Sequence, residues 1–297
     1  MRNFIFSLLL FVTILFNSSF AQELEITLTM DKTSYMQYET IVSLIELKNI
    51  CTQKVFITRA LQVAVPTSGT EILLFDENGN RILSKGPFAR INAYFEGFDL
   101  FPGQNLMSFI NFSYLGFGEF GPKNELGTPG MVAFEYRYLP VGKYKIQLSY
   151  TYVSDKVERK IYSNICEFSI SKPTEDDLKI FNEIREVNGK MFSIPETLYP
   201  ESVKTIFNSY PNHVYTLSVY KDFLTTVYQK ESDQREYLLK MIEDHPSSFL
   251  TLLSVIGCPT ISEDFRNTAS ARLKEKCELN KTMLEKYENY QKIRDRK

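Results

Sequence analysis

Few residues in this chain of 297 are of a type and spacing that chemistry would use. The two histidines, His213 and His245, stand beside prolines in Tyr210-Pro211-Asn212-His213 and Asp244-His245-Pro246. An imidazole titrates near neutrality and can carry a proton. Beside a proline at a helix start it more often caps or packs, and both positions read as structural. Neither histidine belongs to a His-Glu-x-x-His pattern, and Cys51, Cys166, Cys258 and Cys277 lack Cys-x-x-Cys spacing, so no metal site is expected. The adjacent carboxylates Asp176-Asp177 and Glu243-Asp244 could share acid-base work, yet at helix ends such pairs are ordinarily solvated. Asp76-Glu77-Asn78-Gly79-Asn80 opens like a calcium loop. The bidentate glutamate that such a loop needs at its twelfth position is replaced by Pro87, which leaves a hairpin turn. No nucleophile elbow, dinucleotide turn or phosphate loop is present. No catalytic residue and no cofactor is assigned.

Binding chemistry has a better foothold. Aromatic rings crowd the stretch from Phe88 to Phe120, interleaved with Gly and Pro. Rings either fold beneath a sheet edge or display contact area at low entropic cost. On the second reading Tyr94, Phe95, Phe98, Tyr114, Phe117 and Phe120 form a surface for a protein or glycan partner. The absence of Trp weakens a stacking glycan site without excluding one built from Tyr and Phe.

The chain opens with Arg2, an apolar run from Phe4 to Phe16, and Ser19 and Ala21 at the spacing of a signal-peptidase site. Residues 1–21 read as a cleaved signal peptide, which predicts an exported protein, periplasmic or extracellular, with no membrane span after cleavage. The remainder suffices for one large or two ordinary domains. A net charge of −2 argues against nucleic acid as a partner. Export permits disulfides. A helix starting near Ile261 would carry Cys277 about 24 Å from Cys258, however, so free thiols are favoured over a bridge there.

The elements that must position these residues change character once. Up to Ser171 the pattern is one of strands. Leu24, Ile26 and Leu28 alternate with polar residues, and Thr40–Leu47 is apolar on both faces, as a strand between two packed sheets would be. Asn78-Gly79 joins a hairpin. Tyr144, Ile146, Leu148 and Tyr150 alternate with Lys143, Lys145, Gln147 and Ser149 in a strand expected at the centre of the fold. Tyr144, just after Pro140-Val141-Gly142, is placed to hydrogen-bond back across that turn as a tyrosine corner does. Seven or eight strands in residues 22–171 predict an antiparallel β-sandwich. From residue 172 to 297 the pattern is helical: Thr174 opens one helix, Pro200 lies in the first turn of a second, and Thr260-Ile261-Ser262-Glu263 has capping-box spacing. Phe265, Ala269, Leu273 and Cys277 follow as a buried face, and the basic residues Lys292, Arg294, Arg296 and Lys297 complement the last helix dipole. Pro211 and Pro246 lie 35 residues apart in similar contexts.

Asp31-Lys-Thr-Ser-Tyr35, Glu39 to Asn49, Pro102 to Leu106 and Val141 to Leu148 together resemble the immunoglobulin or fibronectin-III-like modules of exported bacterial proteins. Some proteinase-inhibitor sandwiches share the outline. Many such modules carry Gly just before the Glu of the second strand, where this chain has Tyr38. The 35-residue spacing resembles a tetratricopeptide array across Tyr199 to Asn280. The resemblances imply an Ig-like sandwich followed by an all-α domain that scaffolds or binds a macromolecule without catalysis. Two other readings stay open: a hydrolase of peptide or glycan with its site between the domains, and a proteinase inhibitor acting through a sandwich loop.

Overall fold

The computed structural model describes residues 22–59, 61, 69–83, 97–111, 119–120, 137–154, 156–189, 199–219, 231–258 and 261–294. The signal segment 1–21, Tyr94, Phe95, Tyr114, Phe117, Thr260, Arg296 and Lys297 lie outside the described residues. The side chains of Lys292 and Arg294 are not described.

Strands come first and helices after, with the change at Pro173: β13 ends at Ser171 and α1 begins at Glu175. The strands are β1 (Leu24–Met30), β2 (Ser34–Met36), β3 (Val42–Asn49), β4 (Val55–Ile57), β5 (Thr70–Asp76), β6 (Arg81–Ile82), β7 (Phe98–Leu100), β8 (Asn105–Asn111), β9 (Glu119–Phe120), β10 (Arg137–Tyr138), β11 (Gly142–Ser154), β12 (Val157–Tyr162) and β13 (Cys166–Ser171). The helices are α1 (Glu175–Gly189), α2 (Tyr199–Ser209), α3 (Glu231–Asp244), α4 (Phe249–Gly257), α5 (Glu263–Lys276) and α6 (Glu278–Arg294). Residues 216–219 are also helical.

An antiparallel immunoglobulin-like sandwich of seven or eight strands is not what these strands build. Thirteen are present among the described residues. The larger sheet has the order β2-β13-β11-β5-β6, with β12 beside β11, and it is mixed, because β2 runs parallel to β13. After β1 the chain leaves the three-stranded sheet β1-β3-β8 and enters the other sheet at its edge, so no hairpin fixes β2 antiparallel. At three residues β2 is too short to show alternation. β12 and β13 share one edge of the long β11.

The strand expected at the centre is there. β11 pairs with β5 on one edge and with β13 and then β12 on the other, and Tyr144, Ile146, Leu148, Tyr150 and Tyr152 are at most 5% exposed. Tyr144 Oη donates to Pro140 O at 2.6 Å across the turn that precedes it. These side chains meet Ile26, Leu28, Ile45 and Leu47 of the three-stranded sheet in one core.

The other face of β3 meets helices rather than a second sheet. Val42 and Leu44 share a cluster with Phe181, Phe207, Leu238, Phe249 and Leu273, and Phe109 of β8 meets the Phe249 ring edge-on. Thr40–Leu47 is apolar on both faces because sheet covers one side and helices the other. The layers run sheet, sheet, helices, and one hydrophobic core contains both strand and helix side chains. Strand and helix side chains thus share one of the two hydrophobic clusters, and the other lies between the sheets.

Helix ends follow local chemistry. Thr174 Oγ1 accepts the Asp177 N–H at 3.1 Å while the Asp177 carboxylate accepts the Thr174 N–H at 2.7 Å, a reciprocal cap. Ser262, one step before Glu263, caps α5 by accepting the Phe265 N–H. The last helical stretch breaks at Cys277, which closes α5 before α6 starts. Ala269 and Leu273 are fully buried. All four cysteines are free thiols.

Candidate functional site

Acidic, basic, imidazole and phenol groups converge where the turn after β1 meets the helices. Asp31 Oδ1 accepts the Tyr35 hydroxyl at 2.7 Å, and its Oδ2 accepts the Phe249 N–H at 3.0 Å, serving the first turn of α4. Glu39 is buried, pairs with Lys32, and accepts the Met36 N–H at 2.9 Å. Burial pushes the Glu39 carboxyl above its usual range despite the Lys32 ammonium beside it. Lys32 Nζ lies 5.0 Å from the Tyr35 ring centre. Tyr215 Oη donates to Gln37 O, and burial raises both the Tyr35 and Tyr215 phenols.

Tyr38 stands in this turn with φ of 73°, in the left-handed region where glycine is usual. A non-glycine residue there costs on the order of 1–3 kcal/mol. The Tyr38 ring offsets this by stacking on Phe181 of α1 at 4.6 Å and meeting Tyr138 edge-on.

Both imidazoles are committed to structure. His213 Nε2 bonds Asp177 Oδ1 at 2.9 Å and its Nδ1 faces the Tyr215 N–H at 3.3 Å, which fits a neutral ring protonated on Nε2. The hydrogen bond from His213, with those from Thr174, holds the Asp177 carboxyl down to about 2. His245 Nε2 donates to Pro211 O at 3.2 Å, and burial lowers its pKa. A general base needs a lone pair aimed at a substrate. The atoms of this cluster instead point at backbone and at each other, so the arrangement clamps helices to sheet. Among the described residues no group of three or more His, Cys, Asp or Glu could hold a metal ion. A shallow open groove of ≈ 300 Å³ lies on the larger sheet beside Tyr144 and Phe168. Its Glu167 is tied to Lys145 at 2.8 Å.

Of the six aromatic candidates only Phe98 has its side chain among the described residues. Phe98 lies in β7, half-buried against the core between the sheets. Phe120 lies in β9 opposite Arg137, with its side chain outside the description. The other four fall outside the described residues.

An exposed apolar surface stands beside Phe98 that the sequence did not single out. In the β4–β7 ribbon Val55 and Ile57 turn inward and are buried, so Phe56 turns outward and is 52% exposed. Phe56 faces Asp99, whose carboxylate meets Lys54 Nζ at 2.6 Å, and the continued register places Phe101, 43% exposed, opposite Lys54. Ile50, 47% exposed, lies on the adjoining turn. Buried Asn49 ties that turn to β7 by donating to Gln53 O and Leu100 O, both at 2.7 Å. Alternation in Lys54-Val55-Phe56-Ile57-Thr58 was the available signal: an aromatic in the polar phase of a strand.

No family model matches the chain, and no curated protein matches it. Among solved structures it is similar to Spo0M, a sporulation control protein from Bacillus subtilis, at 12% identity and a TM-score of 0.25, over 56% of this chain and 55% of that one. It is also similar to Astrotactin-2, a vertebrate-specific perforin-like membrane protein involved in neuronal development, at 12% identity and a TM-score of 0.17, over 84% of this chain and 39% of that one. The matched region spans about half or less of either relative's length, and at these scores neither likeness bears on fold or function.

Proposed function

We propose that this chain is an exported, non-catalytic binding protein that docks a protein partner on the outer face of the β4–β7 ribbon. The observation that carries the reading is the exposure of Phe56 and Phe101 on either side of a surface Lys54–Asp99 pair. Apolar side chains with a charged pair between them have the composition of a contact patch, with rings for area and charges for register. A supporting observation is that Asp31 ties the turn after β1 to α4, while Glu39 is engaged in hydrogen bonds within its own turn, and Asp177 and both histidines in hydrogen bonds among the helices and their turns. The signal-like segment 1–21 supports export.

Photo-crosslinking in the native organism tests this. A photoreactive residue at position 56 gives one discrete protein adduct, while the same residue at Val157, which is 57% exposed, gives none. Phe56→Ser then weakens the identified partner's affinity by about tenfold or more, an effect of at least ~1.4 kcal/mol. Equal labelling from both positions, or unchanged affinity, overturns the assignment.

A further inference from the structure

The turn between Tyr210 and Thr216 is repeated, bond for bond, 35 residues later. The Tyr210 N–H donates to Ile206 O at 2.9 Å, and the His245 N–H to Met241 O at 2.9 Å. The His213 N–H donates to Tyr210 O at 3.2 Å, and the Ser248 N–H to His245 O at 3.2 Å. The Thr216 N–H donates to His213 O at 2.9 Å, and the Thr251 N–H to Ser248 O at 3.1 Å. Thr216 Oγ1 reaches back to Tyr210 O at 2.8 Å, and Thr251 Oγ1 to His245 O at 2.7 Å. The cap recurs with its chemistry changed: His213 Nδ1 faces the Tyr215 N–H, and Ser248 Oγ accepts the Leu250 N–H. The packing repeats as well. Val203 and Leu238, Ile206 and Met241, and Phe207 and Ile242 are buried pairs at the same spacing, and Leu273 is fully buried one further period on.

A second contact links each turn to the next. His245 donates to the carbonyl of Pro211, 34 residues back, and Asn280 Nδ2 donates to the carbonyl of Pro246, also 34 residues back. A part-buried carbonyl at such a turn needs a donor. A ring N–H and an amide N–H meet that need equally.

We infer that residues 199–219, 231–258 and 261–294 belong to a stacked array grown from one helix–turn–helix unit of about 35 residues, in which a side-chain N–H of each unit satisfies the proline carbonyl of the unit before. The inference goes beyond the binding reading and stands without it. It makes His245 and Asn280 equivalent, although His245 lies between helices and Asn280 in the first turn of α6.

The test is a set of variants of the full chain. His245→Asn keeps Tm within about 2 °C of the parent, whereas His245→Leu and Asn280→Leu each lower it by about 2–4 °C or more. Amide exchange reports direction. His245→Leu speeds exchange at His213 and Thr216, in the turn it serves, and Asn280→Leu speeds exchange at Ser248 and Thr251. If His245→Asn falls as far as His245→Leu, or if the exchange changes ignore this order, the two contacts are unrelated and the array is overturned. Should His245→Leu fail to fold, His245→Asn and Asn280→Leu decide the matter.

Discussion

The outer faces of the two β layers differ in every respect that matters for what they meet. On the three-stranded sheet Val42 and Leu44 are each 1% exposed beneath the helices, with Met107 and Phe109 packed alongside. On the larger sheet the outward side chains are charged and wet. Glu71 joins Arg81 and Lys160, and Lys145 meets Glu167 at 2.8 Å. One face is an interior surface and the other a solvent surface, although both begin as the outside of a sheet. The helices dock where a strand stops alternating, which places the boundary between the strand and helix halves of the sequence inside a shared core.

That contrast can be broken most directly at Leu44. Leu44→Ala should cost about 2–5 kcal/mol, the range for a buried leucine, and should lower the unfolding midpoint of strand and helix signals together. Separate midpoints for the two signals would show that the layers fold independently.

Acid sharpens the comparison. Burial depresses the His245 pKa, so the folded protein favours the neutral ring and binds fewer protons than the unfolded chain. Its contribution is complete above about 6.5, the ordinary histidine value, and is lost as pH falls below it. Urea midpoints followed downward from pH 7 should therefore decline less in His245→Asn than in the parent. Glu39 has the opposite sign. With its pKa raised by burial, the folded state favours its protonation, and acid relieves rather than adds cost. A parent curve that is flat while Glu39→Gln falls more steeply would show the two shifts cancelling.

The exposed face should respond least. Hydrogen bonds from Lys160 and Arg81 hold the Glu71 carboxyl at about 2, so its stabilisation is present above the ordinary glutamate value and is lost as pH drops towards 2. Because all three side chains are more than two-fifths exposed, solvent screening keeps the cost of Glu71→Ala to roughly 0.2–1 kcal/mol at neutral pH. A larger loss, undiminished by salt, would mean that this face is not the solvent surface described.

Much of the local structure was legible. Alternation marked β1 and the start of β11, Tyr144 made the expected bond across its turn, and Thr174 opened the first helix. The clamp at Asp31 was not legible, because its partner Phe249 lies 218 residues away and no local period links them. The outward Phe56 carried a signal that was passed over, since a single aromatic in a three-residue strand has no period of its own.

The chain by itself determined which residues turn away from water, because the side-chain period of a strand or helix is a local property of the backbone. It also determined where several elements start, as at Thr174 and Ser262, because a cap is closed by neighbours a few residues apart. Tertiary structure alone decided what covers the second face of β3, the parallel course of β2, and the union of sheet and helices in one core. An apolar face records that it must be covered and carries no mark of its partner, and only the packing of distant segments supplies one.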